Sequence, residues 1–186
     1  MTASTAPSLA QQVVGLSLEA HVTTVAWLGD MPAFALGDGS VALAKGEQIY
    51  RVAAHPDGAV LVAGSDGKRL ITGGDDGRVA VTRADGSTET LTEAKGAWID
   101  AIAIAANGAV AFAAGRRVTA RDEKGREKSL DVASTARGLC FAPKGYRLAI
   151  AHYGGSTLWY PNLETKPEML EWKGSHLDIT WSPDSR

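Results

Sequence analysis

The side chains best suited to chemistry are four histidines, His21, His55, His152 and His176, and three acids in glycine-rich turns, Asp38, Asp75 and Asp76. An imidazole beside a carboxylate can move a proton or hold a metal ion. A glycine-rich turn can also offer its backbone amides to a phosphate. "TGGDDGRVAV" at 72–81 combines both features. A metal site, however, needs three or four converging ligands, and Asp75 and Asp76 lack the further acids of a calcium loop. "GDGSVA" at 37–42 fits G-x-G-x-x-A, but a dinucleotide loop needs a helix N-terminus directly behind its glycines. Here "SVALA" alternates with period two instead. H-E-x-x-H, G-x-S-x-G and G-x-x-x-x-G-K-[ST] are all absent. No catalytic residue, cofactor or metal ligand is therefore expected. Cys140 stands alone in apolar "GLCFAP" and reads as a buried, inert thiol.

The same turns recur along the chain. "ALGDGSVALA" (35–44), "TGGDDGRVAV" (72–81), "AAGRRVTARD" (113–122) and "AHYGGSTLWY" (151–160) each join an apolar run, a turn and an alternating run. Gly39 and Gly77 are 38 apart, and Gly77 and Gly155 are 78 apart, twice that spacing. A second series ends a strand-like run at a turn, with Trp27, Ala63, Ile104, Phe141 and Trp181 in equivalent places at intervals of 36, 41, 37 and 40. A repeat near 39 residues accounts for both.

Within the second unit the reading is four short strands, 58–65, 68–74, 78–84 and 88–94, parted by "DG", "DDG" and "DG". Asp-Gly between alternating runs marks a hairpin, because those residues accept the positive φ that such turns need. No window carries a helical stripe. The units run over about 21–55, 56–95, 96–134 and 135–175, with a partial fifth at 176–186. Residues 1–11 read as a flexible tail. Residues 12–18, "QVVGLSL", read as a strand resembling the last of a unit. Four-stranded units at this period imply an all-β protein, a β-propeller of antiparallel blades.

Composition agrees. The chain has 186 residues, 45% hydrophobic and 22% charged, with 21 glycines and a net charge of -2. No basic excess exists to displace counterions from nucleic acid. No apolar run reaches the ~18 residues of a membrane helix, and the N-terminus lacks the pattern of a secretory signal. The expectation is a cytoplasmic protein that binds neither nucleic acid nor membrane. "GRRVTARDEKGREK" (115–128) interleaves both charge signs and reads as a solvated hairpin.

These units resemble the WD-repeat family of β-propellers. "TWSPDSR" and "CFAPKG" resemble that repeat's first turn, and "LGDGSVALA" and "GGDDGRVAV" its second. The family's Gly-His slot holds Ala20-His21, Ala54-His55 and Ser175-His176. Trp159 falls where the family places a tryptophan, with Tyr160 in place of the following Asp. The resemblance implies structural work for His21, Asp38, Gly39, His55, Asp76, Gly77, Gly155, Trp159 and His176. It implies partial Asp–His–Thr hydrogen-bond chains, Asp38 with His21 and Asp76 with His55 and Thr72. About four blades and one extra strand are present, and family rings hold six to eight blades, most often seven. The chain thus reads as part of a longer ring, with a closed smaller ring or two arcs joined into one as the other arrangements.

Trp27 and Trp181 are expected in the core between blades. Trp98, Asp100, Arg137 and Asp178 fall near the starts of inner strands, toward the face where family members bind peptides. An aromatic anchor beside varied charges suits recognition. The resemblance thus implies a non-catalytic scaffold docking a protein or peptide. The competing readings are a propeller enzyme, a metal-dependent hydrolase or lactonase, and a small-ligand sensor, each using the central channel.

Overall fold

The computed structural model describes Ser8, Val13 and residues 15–185. All fifteen of its elements are strands, in four antiparallel sheets. Among the described residues no helix is long and apolar enough to cross a membrane. The first sheet holds β1 (Val22–Leu28), β2 (Met31–Leu36), β3 (Ser40–Lys45) and β4 (Gln48–Ala53) in that order. The second holds β5 (Val60–Ser65), β6 (Arg69–Gly74), β7 (Arg78–Arg83) and β8 (Thr88–Glu93). The third holds β9 (Ala101–Ile104), β10 (Val110–Ala114), β11 (Arg117–Arg121) and β12 (Glu127–Asp131). The fourth is made of β13 (Gly138–Phe141), β14 (Leu148–Trp159) and β15 (Glu168–Ser175).

β14 is two strands joined by a turn. His152 Nε2 lies 2.8 Å from Thr157 Oγ1. Five residues of extended chain span about 16 Å, so the chain must reverse between them. Gly154 and Gly155, at φ +89° and +144°, make that reversal. Residues 148–151 pair with β13 and residues 155–158 with β15, on opposite sides. The fourth sheet is therefore also four-stranded, and "AHYGGSTLWY" is a hairpin like its siblings.

The sheets are blades stacked face to face. β1, β5, β9 and β13, the first strand of each, lie side by side in chain order. Period-two alternation gives each strand two faces, and both are used. Leu70 and Ala80 point back to Ala33, Ala35, Val41 and Leu43 of blade 1. Ile71, Val79 and Val81, from the same two strands, point forward to Ile99, Val110 and Phe112. Ala111, Ala113 and Val118 meet Leu139, Leu148, Ile150 and Trp159 of blade 4. Each blade interface is thus a core of its own. The cores mix small Ala and Val side chains with the larger Ile71, Phe112 and Trp159.

Several boundaries differ from the sequence reading. The second unit's strands start and end up to two residues inside the expected ranges, where Gly and Asp belong to turns. The expected tail at 1–11 lies outside the described residues except for Ser8, as do Gln12 and Val14 of the expected strand at 12–18. Gly15–Leu18 forms no strand. Nor does 176–185, the expected first strand of a fifth unit. A strand needs neighbours in its own sheet, and among the described residues this segment has none. It lies along blade 4, with Asp178 against Gly138 and Trp181 Nε1 donating to the Cys140 carbonyl at 2.9 Å.

Candidate functional site

The turns between second and third strands and the loops leading into each next blade share one end of the molecule. The turn glycines tie them together. Gly39 O accepts from the amides of Ala54 and His55 at 3.1 and 2.8 Å, Gly77 O from Ala94 at 2.7 Å, and Gly115 O from Ala136 at 2.9 Å. Gly39 and Gly77 have φ of +84° and +80°. A Cβ on Gly39 would strike the Gly58 and His55 carbonyls, and one on Gly77 those of Ala94 and Ala97. Gly155 faces the Leu170 carbonyl in the same way. Conformation and close approach together account for the repeating glycine.

The expected Asp–His–Thr chain is present in blade 2. His55 is buried, 1% exposed. Its Nδ1 donates to Asp76 Oδ1 at 2.9 Å. Its Nε2 lies 2.8 Å from the Thr72 hydroxyl, within hydrogen-bond reach. Burial pushes the Asp76 carboxyl up, but hydrogen bonds from His55 and the Arg78 amide, with the His55 and Arg78 charges, outweigh it and hold the carboxyl below its ordinary value. Asp75 instead caps the Ala59 amide at 2.7 Å. Blade 1 differs from expectation. Asp38 binds the Ser40 amide and hydroxyl and the Arg51 guanidinium, at 3.1, 2.7 and 2.6 Å. The Ser40 hydroxyl first, and then the Ser40 amide and Arg51 charge, hold its carboxyl low. His21 is exposed, and its carbonyl, not its ring, bonds the turn through the Gly37 amide at 2.8 Å. Blade 4 carries a polar link that the sequence reading did not single out. His152, fully buried, bonds the Tyr153 carbonyl and Thr157 across the β14 turn. Trp159 is buried in the blade 3–4 core, and His176 Nε2 meets the Trp172 carbonyl at 3.1 Å.

Three of the four residues expected at the recognition surface come together. Asp100 precedes β9 and Arg137 precedes β13. Neighbouring blades bring their first strands side by side, so Arg137 Nη1 reaches Asp100 Oδ2 at 3.1 Å. Arg137 is half exposed. Asp100 Oδ1 is buried and has no hydrogen bond among the described residues. Asp178 is exposed; its backbone lies against Gly138, one residue from Arg137, and its Oδ1 accepts from the Ile179 amide at 2.8 Å. Trp98 is two residues before Asp100 and 67% exposed. On the neighbouring β14 turn, Tyr153 is 63% exposed and its amide and carbonyl both bond the Ser134 hydroxyl. Tyr153 was not singled out from the sequence. The signal available was its place beside the turn glycines.

The paired tryptophans depart from expectation. Trp181 is half-buried, with the Arg147 guanidinium 4.1 Å from its ring centroid. Trp27 is 62% exposed on the first blade's outer face, not in a core between blades. Trp27 belongs to the first described blade, so its face has no earlier blade against it among the described residues. No group of three or more His, Cys, Asp or Glu side chains converges among the described residues to hold a metal ion. The charged hairpin at 115–128 is β11 and β12, held by Arg121–Glu127 and Arg126–Asp122 pairs at 3.1 and 2.7 Å.

Neither a family model nor a curated protein sequence matches the chain. Among solved structures, a chain from the crystal structure of a mitotic checkpoint complex superposes with a TM-score of 0.68 at 19% identity, over 89% of this chain and 56% of that one. The present chain thus spans little more than half the length of that neighbour. The likeness shows a WD40-like β-propeller fold.

Proposed function

We propose that this chain is a non-catalytic protein-interaction module that binds a protein or peptide across the loop end of blades 3 and 4. One observation carries the reading: Trp98, two residues before Asp100 in the chain, is exposed, and Asp100 bridges to Arg137 of the next blade. An exposed indole gives a partner a large apolar anchor at low entropic cost. Arg137 is held in place by Asp100 and still faces solvent, so it can meet a partner's carboxylate or backbone carbonyl. Tyr153 and Asp178 extend the strip on either side. The solved neighbour comes from a multiprotein complex, which is in keeping with a scaffold.

Photo-crosslinking tests this reading. A benzoylphenylalanine in place of Trp98 should give a discrete protein adduct in extracts of the source cells. The same group at exposed Tyr50, on the outer strand of blade 1, should not. Equal labelling from both positions would remove the proposal.

A further inference from the structure

The turn between β9 and β10 holds the one Asn-Gly step of the chain, Asn107-Gly108. The equivalent turn of blade 2 uses Asp66. That carboxylate accepts the Lys68 and Arg69 amides, both at 3.0 Å, and Arg69 Nε at 2.9 Å. Asn107 makes a contact that an aspartate cannot. Its Oδ1 accepts the Ala109 amide at 3.2 Å, which leaves Nδ2 to donate to Glu123 Oε2 of the β11–β12 turn at 2.9 Å. The backbone of the same turn closes through the Gly108 amide on the Ala105 carbonyl at 2.8 Å. On the other side the Gly108 carbonyl accepts Arg69 Nη2 from blade 2. One turn therefore joins the two hairpins of blade 3 and ties blade 3 to blade 2.

We propose that Asn107 is a site of spontaneous deamidation, held back by Glu123, and that its conversion unties blade 3 from blade 2. An asparagine followed by glycine is prone to this reaction because no side chain shields the next amide nitrogen or restricts its backbone. Gly108 N attacks Asn107 Cγ. The Nδ2 amide leaves as ammonia, taking the Gly108 amide proton, and a cyclic succinimide remains. Water then opens either ring carbonyl and gives aspartate or isoaspartate. One water enters for each ammonia lost, and nothing is oxidised or reduced.

Asn107 is exposed, so water has access. The folded turn nevertheless opposes the reaction. The Gly108 amide is engaged by Ala105, Oδ1 by Ala109 and Nδ2 by Glu123. The step therefore waits on local opening, and opening is rarer while Glu123 grips the side-chain amide. Conversion is not easily undone by refolding of the turn. A carboxylate at this place has no proton to give Glu123 and is repelled by it. Isoaspartate also adds a methylene to the backbone, which moves the Gly108 carbonyl off Arg69.

Peptide mass spectrometry with isoaspartyl methyltransferase labelling tests this on the full-length chain, incubated warm at mildly alkaline pH. The free peptide of residues 96–116 is the unfolded reference. Asn107 is expected to convert about tenfold or more slowly in the native chain than in the peptide. Glu123→Ala should raise the native rate about threefold or more. Glu123 is exposed, so that variant keeps its fold. The converted chain should melt about 2–4 °C lower than the fresh one. An Asn107→Gln chain, which would have to form a larger and slower ring, should keep its melting temperature through the same incubation. Equal rates in peptide and native chain, or a native rate that Glu123→Ala leaves unchanged, would overturn the proposal. So would a converted chain that melts like the fresh one, or a Glu123→Ala chain still unmodified when the peptide has fully converted.

Discussion

At the scale of single residues, stability and recognition are separate. His55, Asp76 and Thr72 are buried polar groups that satisfy one another, and such groups are costly only when a partner is lost. His55→Ala should therefore destabilise the chain by about 2–4 kcal/mol in urea unfolding. Asp76 also sets an acid dependence. Its folded carboxyl sits below the ordinary value of 3.8, so the charged form favours the fold. That stability is present above pH 3.8 and is lost as pH falls through the lower, folded value. Melting temperature should drop below pH 4, and Asp76→Asn should flatten that part of the profile while lowering stability at neutral pH. Trp98 and Arg137 belong to the surface. Replacing either by alanine should leave unfolding within about 0.5 kcal/mol of wild type while weakening the proposed contact.

At the scale of elements, the blade is a hairpin series whose turns carry its strictest demands. Gly77→Ala forces a side chain to positive φ and into the Ala94 and Ala97 carbonyls, and should cost about 3 kcal/mol or more. Gly46→Ala also stands at positive φ but in open space, and should cost about 1 kcal/mol. Denaturant titration of the two variants measures the difference. Amide exchange should be slowest in β6, β7 and β10, buried between two blades, and fastest in β15, whose residues are nearly all exposed. The four units, their strand alternation and the role of Gly39 and Gly77 were legible in the sequence because period and turn chemistry are local. The Asp76–His55–Thr72 chain was legible through its likeness to a known repeat. The diversion of Asp38 to Arg51 was not, since it depends on which side chain of the neighbouring strand comes within reach. The His152–Thr157 link was hidden because the matching turn segments of the other units hold no histidine. Trp27 was misplaced because repeat position defines the direction of a side chain, while burial depends on what stands opposite.

At the scale of the molecule, three interfaces between four blades carry the fold. Each is an apolar core between blades, so a cavity in one should loosen the stack on both sides. Ile71→Ala, in the core between blades 2 and 3, should cost about 2–5 kcal/mol. The same stacking brings Asp100 of one blade against Arg137 of the next, so the proposed recognition strip exists only when the blades are assembled. That strip is the central claim. Its most direct test is the affinity of the protein crosslinked through position 98, measured by calorimetry against the wild-type chain and a Trp98→Ala, Arg137→Ala double variant of unchanged melting temperature. The account predicts that the double variant binds at least tenfold more weakly, about 1.4 kcal/mol or more. Equal affinity for the two chains would contradict it.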